Sequence, residues 1–326
     1  MKDFEIKDNV LIKYHGNDTE VVIPEGVTAI ENLAFQFQKH IRSVVIPESV
    51  TSIGDSAFYF CSSLTDISIP EHADIGERAF VGTPWFDQKQ QQNPLVIVNH
   101  ILLDGTACQG KVVLPDDVTK IESFAFYECA EITELVIPKS VTQIGCSICV
   151  TCPKLKKITC HDVKFTMEEL YHYNAEIIEA DRQGREAEWY YQVIEDMITG
   201  VLQFILSHDF TVLDAEHYFY GYLEEYTRNS LICRIFRANP HDEKVLTYFR
   251  ENFDTILHSI IKENRIKTMQ SILESGHFID IDNIDDAIQY AIDKRSYSIQ
   301  VMLMDYKHQH FDAEEPEVII RKKFEL

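Results

Sequence analysis

A phrase of 23 residues returns along the first half of the chain, and it constrains the fold more than any other feature. Ile-Pro stands at Ile23-Pro24, Ile46-Pro47, Ile69-Pro70 and Ile137-Pro138, with Leu114-Pro115 as a variant. Pro24 to Pro47, Pro47 to Pro70 and Pro115 to Pro138 are each 23 residues apart. Val-Thr-x-Ile follows at Val27, Thr28 and Ile30, at Val50, Thr51 and Ile53, at Val118, Thr119 and Ile121, and at Val141, Thr142 and Ile144. Ala-Phe comes next, at Ala34-Phe35, Ala57-Phe58, Ala79-Phe80 and Ala125-Phe126, and then cysteine at 61, 129 and 152. An apolar triplet such as Ile41, Val44 and Ile46, or Leu64, Ile67 and Ile69, closes the unit. A unit this short cannot cover its own apolar strand, so it must stack on copies of itself.

The internal chemistry of the phrase predicts how the copies stack. Strand alternation places Ile67 and Ile69 on one face and Asp66 and Ser68 on the other. Pro70 has no N–H and ends the ladder on its C-terminal side. Gly54, Gly76 and Gly145 fall where a tight bend is expected. The phenylalanine of Ala-Phe fills the core between turns. A longer period lies above the short one: Ile6–Cys61 returns as Ile97–Cys152, an offset of 91. Val10-Leu11-Ile12 becomes Ile101-Leu102-Leu103, and Val21-Val22-Ile23-Pro24 becomes Val112-Val113-Leu114-Pro115. Two modules are therefore expected, each opening with a β-hairpin. Residues 82–94 (GTPWFDQKQQQNP) read as a surface connection between them.

These phrases resemble the BspA-type leucine-rich repeat family, whose 23-residue repeats have the form LxxIxIPxxVxxIGxxAFxxC. The resemblance covers residues 1–161. It implies a parallel β-solenoid with a curved sheet and a role in protein recognition, in a family whose members are often surface-exposed or secreted and adhesin-like. On a solenoid the solvent-facing strand positions are Glu20 and Val22, Ser43 and Val45, Asp66 and Ser68, Lys111 and Val113, Glu134 and Val136, and Lys157 and Thr159. They are expected to form one contiguous face. Its stripe of valines reads either as β-propensity on an exposed sheet or as a partly apolar docking surface.

The sequence changes character near residue 162. Eight of the ten prolines precede it, and Val-Thr-x-Ile vanishes. Residues 162–326 are expected to be all-α. Phe165-Thr166-x-x-Glu169-Leu170 has the form of a helix start, with Thr166 as cap and Glu169 closing a capping box. Val193, Met197, Val201, Leu202 and Ile205 follow at helical spacing. A weaker repeat lies in the last hundred residues, where Ser259–Gly276 aligns with Tyr290–Lys307 at an offset of 31. Each copy reads as helix, polar turn, helix, clearest at 254–307, with Tyr218–Asn239 as an earlier degenerate copy. This is similar to the ankyrin helix–turn–helix, although TPLH is missing. A generic bundle of α-hairpins is the alternative.

Charge narrows the partners. Fifty-three acids against 30 bases give −23. Nucleic acid is disfavoured because its counterions must be replaced by Lys and Arg, and an anionic membrane surface is disfavoured likewise. Residues 1–161 carry −8 and residues 162–326 carry −15. No apolar run reaches 18 residues, so no membrane-spanning helix is expected. The opening MKDFEIKDNV shows no apolar leader core. The expectation is a cytoplasmic chain with reduced thiols, and the alternative is a surface or secreted protein whose leader has been removed.

Candidate chemistry is sparse. Cys146-x-x-Cys149-x-x-Cys152, followed by Cys160, has the spacing of a zinc or iron–sulfur site. The repeat register explains three of the four: Cys152 matches Cys61 and Cys129, Cys149 stands in place of the phenylalanine, and Cys160 lies on a strand. No metal or cofactor is therefore expected, with the four-cysteine site as a minor alternative. Asp280-x-Asp282-x-x-Asp285-Asp286 lacks the glycine and glutamate of a calcium loop, and helix capping by Asp282 or Asn283 accounts for it. His208-Asp209 and His241-Asp242 stand without a nucleophile or phosphate-loop motif. The expected function is a non-enzymatic protein–protein interaction scaffold, using a curved β-solenoid face and an acidic helical surface. A surface adhesin and a cysteine-based metal or redox regulator are the alternatives.

Overall fold

The computed structural model describes residues 3–167, 198–203, 205–207 and 225–311. Glu169, Leu170, Val193, Met197, the His208-Asp209 pair and Tyr218 lie outside the described residues. The chain divides into two compact units, Met1–Ser207 and His208–Leu326.

In the first unit, one module runs β1 (Phe4–Lys7), β2 (Val10–Tyr14), β3 (Glu20–Val22), β4 (Ala29–Ile30), β5 (Ser43–Val45), β6 (Ser52–Ile53), β7 (Asp66–Ser68) and β8 (Asp74–Ile75). Helix α1 (Pro84–Gln92) follows. The second module runs β9 (Val96–Val98), β10 (Ile101–Asp104), β11 (Gly110–Val113), β12 (Lys120–Ile121), β13 (Ile132–Ile137), β14 (Gln143–Ile144), β15 (Lys157–Cys160) and β16 (Val163–Thr166). The chain winds as a solenoid, with the strand before each proline on one side and the short strand at Val-Thr-x-Ile on the other. The first side forms parallel β3-β5-β7 and β11-β13-β15, the second β2-β4-β6-β8 and β10-β12-β14. Register follows the sequence repeat: Val22 pairs with Val45 and Val45 with Ser68, and Val113 pairs with Val136 and Val136 with Thr159.

Each module opens with a hairpin whose two turn residues are both left-handed: Asp8 and Asn9 (φ 51° and 64°), then Asn99 and His100 (51° and 63°). That is the turn geometry matched to strand twist, and Asn and Asp tolerate it. The same turn recurs at His161 and Asp162 (φ 49° and 69°), so the chain folds back and β16 pairs antiparallel with β15. The unpaired edge of β15 holds Val163–Thr166 as strand, burying Val163 and Phe165. Helix begins at Met167, directly after Thr166, the residue expected to cap it, while Glu169 of the capping box lies outside the described residues.

The core is an aromatic spine. Tyr14 and Phe35 stack at 5.2 Å, Phe35 and Phe58 at 4.8 Å, Phe58 and Phe80 at 5.5 Å, and Phe80 meets Trp85 at 4.9 Å. Ile41, Val44, Leu64 and Cys61 pack around it. Residues 82–94 are more than a connection. Thr83 caps α1 by accepting from the Phe86 N–H at 3.1 Å, Pro84 occupies the first helical turn, where its missing N–H costs nothing, and Trp85 and Phe86 close the end of the spine.

Gly54, Gly76 and Gly145 do not make a left-handed bend, since none has positive φ. They are small because the neighbouring coil passes close: a Cβ on Gly54 would lie 2.5 Å from the Asn32 nitrogen, and one on Gly145 2.3 Å from that of Ser123.

Among the described residues of the second unit the helices are α2 (Glu225–Ala238), α3 (Glu243–Glu251), α4 (Phe253–Lys262), α5 (Ile266–Ser275), α6 (Ile284–Asp293) and α7 (Tyr297–His310). Helix α4 packs on α5 and on α6, and α7 packs on α6 and on α5. The two inter-helix turns match at an offset of 31. Asn264 and Arg295 are both left-handed (φ 50° and 57°), and the next N–H, of Arg265 or Ser296, donates to Ile260 or Ala291 at 2.9 Å. Asp242 caps α3 through Lys244 and Val245 at 3.0 and 3.1 Å, which gives the His241-Asp242 pair a structural role. Before α6 the capping geometry is made by Asp280, whose carboxylate accepts from the Asp282 and Asn283 N–H groups at 3.0 and 3.1 Å.

Candidate recognition surface

Three rows of side chains are candidates, two of them turned toward solvent and one set mostly inside the solenoid. The first is the outer strand face. Each three-residue strand buries its middle residue, Val21, Val44 or Ile67, and turns its outer two away. Val22, Val45 and Val113 are 66%, 47% and 57% exposed, whereas Val136 and Thr159 are half-buried. The expected single face is two, because β3-β5-β7 and β11-β13-β15-β16 are separate sheets. The two also differ in charge. In the second, Glu134 sits between Lys111 at 3.8 Å and Lys157 at 3.2 Å, so its charged column is self-compensated. In the first the column reads Glu20, Ser43, Asp66, and neither carboxylate has an ion-pair partner among the described residues.

The second row escaped the sequence reading. Leu33, Phe37, Phe60 and Tyr127 are exposed on the turns around Ala-Phe. Phe37, Tyr59 and Phe60 form a cluster with centroids 4.6–6.1 Å apart, and the Arg78 guanidinium lies 5.3 Å from the Tyr59 ring centroid. Leu33, Phe37, Phe60 and Phe124 hold φ of 55–62°, costly for bulky side chains. The conformation is imposed by an inter-coil ladder. The Leu33, Phe35 and Phe37 N–H groups donate to Asp55, Ala57 and Tyr59 carbonyls, and Ser56, Phe58 and Phe60 donate to Glu77, Ala79 and Val81, all within 3.0 Å. The signal was present in the sequence, as an apolar residue two places after each of Phe35 and Phe58.

The third row is the thiols. Cys61 donates its S–H to the Phe35 carbonyl at 3.0 Å, and Cys152 to that of Phe126 at 3.1 Å, an equivalent contact 91 residues on. Cys149 and Cys160 are buried. Cys146 is exposed, with its sulfur 3.5 Å from the Ser123 hydroxyl. No group of three His, Cys, Asp or Glu among the described residues is placed to hold a metal ion. Burial pushes the thiols of Cys61, Cys160 and Cys233 up to about 12 and those of Cys108 and Cys129 up to about 11. Since the thiolate is the reactive form, a disulfide reagent at neutral pH should modify Cys146 first and leave those five until the chain unfolds. Mass mapping of the labelled native protein checks this, and early labelling of Cys61 or Cys160 would contradict the packing.

On the second unit, Tyr297, Val301 and Met304 are exposed along one side of α7 at i, i+4 and i+7. Among the described residues, no helix is long and apolar enough to cross a membrane.

A family model described as BspA type leucine rich repeat region matches residues 5–93 and 102–181, in six copies. No curated protein matches the chain. Among solved structures, a leucine rich repeat protein of T. pallidum is 23% identical, over 48% of this chain and 69% of that one, with a TM-score of 0.28. A leucine rich cell surface protein of Faecalibacterium prausnitzii is 29% identical, over 49% of this chain and 52% of that one, with a TM-score of 0.32. A leucine-rich repeat protein of Bacteroides ovatus is 25% identical, over 46% of this chain and 35% of that one, with a TM-score of 0.24.

Proposed function

Because the chain belongs to the BspA-type leucine-rich repeat family, whose members are generally interaction or surface proteins and not enzymes, we propose that it is a protein-recognition scaffold working through its outer strand faces. One observation carries the reading. On β3-β5-β7, Val22 and Val45 stand beside Glu20 and Asp66, in a register fixed by backbone pairing. An apolar pair next to two uncompensated carboxylates suits a partner that offers an apolar contact flanked by basic side chains. The rigid sheet supplies these groups without ordering cost at binding. The helical array, read as ankyrin-like, supplies a second acidic surface, with Tyr297, Val301 and Met304 as its apolar contact.

Location divides two versions of this reading. Eight free thiols favour a reducing compartment, and the family's frequent surface placement favours an adhesin. Fractionation of the source cells separates them. For the face itself, Val45→Lys combined with Val113→Lys is the direct perturbation. Both positions are exposed, so the denaturation midpoint should hold. Affinity for the captured partner should fall at least about tenfold, the scale of losing one interface hot spot. Unchanged affinity removes the strand face from recognition.

A further inference from the structure

The inter-coil ladder stops at the junction of the two modules. By the repeat, the N–H groups of Arg78, Phe80 and Gly82 occupy the donor positions held one coil earlier by Ser56, Phe58 and Phe60. Among the described residues none of the three donates to any group. The ladder resumes only at Gly105, which donates to Ala125 at 2.6 Å. A cavity of about 370 Å³ lies at this break, lined from both sides by Arg78, Phe80, Phe86, Asp104, Glu122 and Tyr127 among others. Thus a row of donor positions, aligned by the solenoid translation, stands at the break, and two of its three residues, Arg78 and Phe80, line the space.

The opposite wall is acidic. Asp104 accepts from Gln90 at 3.0 Å and from Thr106 at 3.0 and 3.2 Å. Glu122 is 6% exposed and pairs with Lys120, which also reaches Asp74 at 2.8 Å. Burial raises both carboxyls, against the bonds from Thr106 and Gln90 to Asp104 and from Lys120 to Glu122. The Arg78 guanidinium is drawn off toward Tyr59. Phe80, Phe86 and Tyr127 add apolar and cation-accepting ring surface.

We propose that the module junction is a binding site for a short extended peptide segment carrying a lysine or arginine. Its carbonyls continue the broken ladder by accepting from Arg78, Phe80 and Gly82, and its cationic side chain enters the cavity toward Asp104 and Glu122. This is strand addition inside a solenoid, in which main-chain hydrogen bonds give affinity and a side-chain pocket gives selectivity. It goes beyond the strand-face reading and does not depend on it.

The test uses terminally blocked tripeptides on the full chain, read by amide NMR. Ac-Ala-Lys-Ala-NH2 should shift the Arg78, Phe80 and Gly82 amide signals and slow their hydrogen exchange, with Ile30 and Ile53 unmoved. Ac-Ala-Glu-Ala-NH2 should bind at least about tenfold more weakly, and Asp104→Asn or Glu122→Gln should weaken the lysine peptide by about the same factor, the scale of one lost charged hydrogen bond. Three results each overturn the proposal: no shift of the three amides, equal binding of the glutamate peptide, or n-butylammonium alone moving all three amides as far as the peptide does. The wild-type comparison of probes stands even if a variant fails to fold.

Discussion

Phe58→Ala should cost the first module about 3–5 kcal/mol, the range for deleting a large buried aromatic. Phe58 is fully buried between Phe35 and Phe80, with ring centroids at 4.8 and 5.5 Å, so alanine removes two aromatic contacts as well as the buried area. The neighbouring coils cannot close the hole, because the Phe35 and Phe58 amides are held to Ala57 and Ala79 at 2.8 Å. Stacked repeats contact mainly their neighbours, so damage stays local. Hydrogen exchange should show Ile30, Ile53 and Ala57 opening early while Phe126 and Leu135 keep most of their protection. A loss under about 1 kcal/mol would mean the spine is not the core.

The second large effect is expected at Gly54. A methyl group there would sit 2.5 Å from the Asn32 nitrogen and 2.8 Å from the Glu31 carbonyl carbon. Both are backbone atoms, so no side-chain rotation relieves the clash. Relief means separating the two coils, against the bonds from Gly54 to Ile30 at 2.8 Å and from the Asp55 N–H to the Asn32 side chain at 2.7 Å. Gly54→Ala should therefore destabilise by about 2–3 kcal/mol, at the upper end of overpacking costs. Urea denaturation of this module checks it. A neutral result would return Gly54 to the role of a simple bend, which its backbone angle already disfavours.

Much of the solenoid was legible because stacking forces each coil to repeat the same physical solution. The proline spacing located the strands, and alternation about Ile67 separated the core from the solvent face. The offset of 91 located both opening hairpins. What the sequence obscured lies where a coil meets something other than its own copy. Residues 82–94 look like a linker by composition, yet Thr83-Pro84 is a helix-start signal that places Trp85 and Phe86 over the spine. The pairing of Val163 to Thr166 with β15 is a tertiary contact that local capping rules do not register, although they did place the helix start after Thr166. The close approach at Gly54 and Gly145 is a distance between coils, invisible to a reading along one coil. The exposed aromatics at Phe37 and Phe60 were in the sequence as a recurring position, hidden beside the stronger Ala-Phe signal. The break in the ladder at Arg78, Phe80 and Gly82 follows from a gap in the repeat, and only the backbone hydrogen bonds of the neighbouring coils give it meaning.

Recognition through the strand face is tested most directly by placing a photo-crosslinking amino acid at Val45 or Val113, and, as controls on the same unit, at Glu71 or Asp116. After irradiation in the source cells, adducts are identified by mass. The strand-face positions should capture the same protein, and the control positions should not. Adducts with that protein from Glu71 or Asp116 but none from Val45 or Val113 would contradict the account.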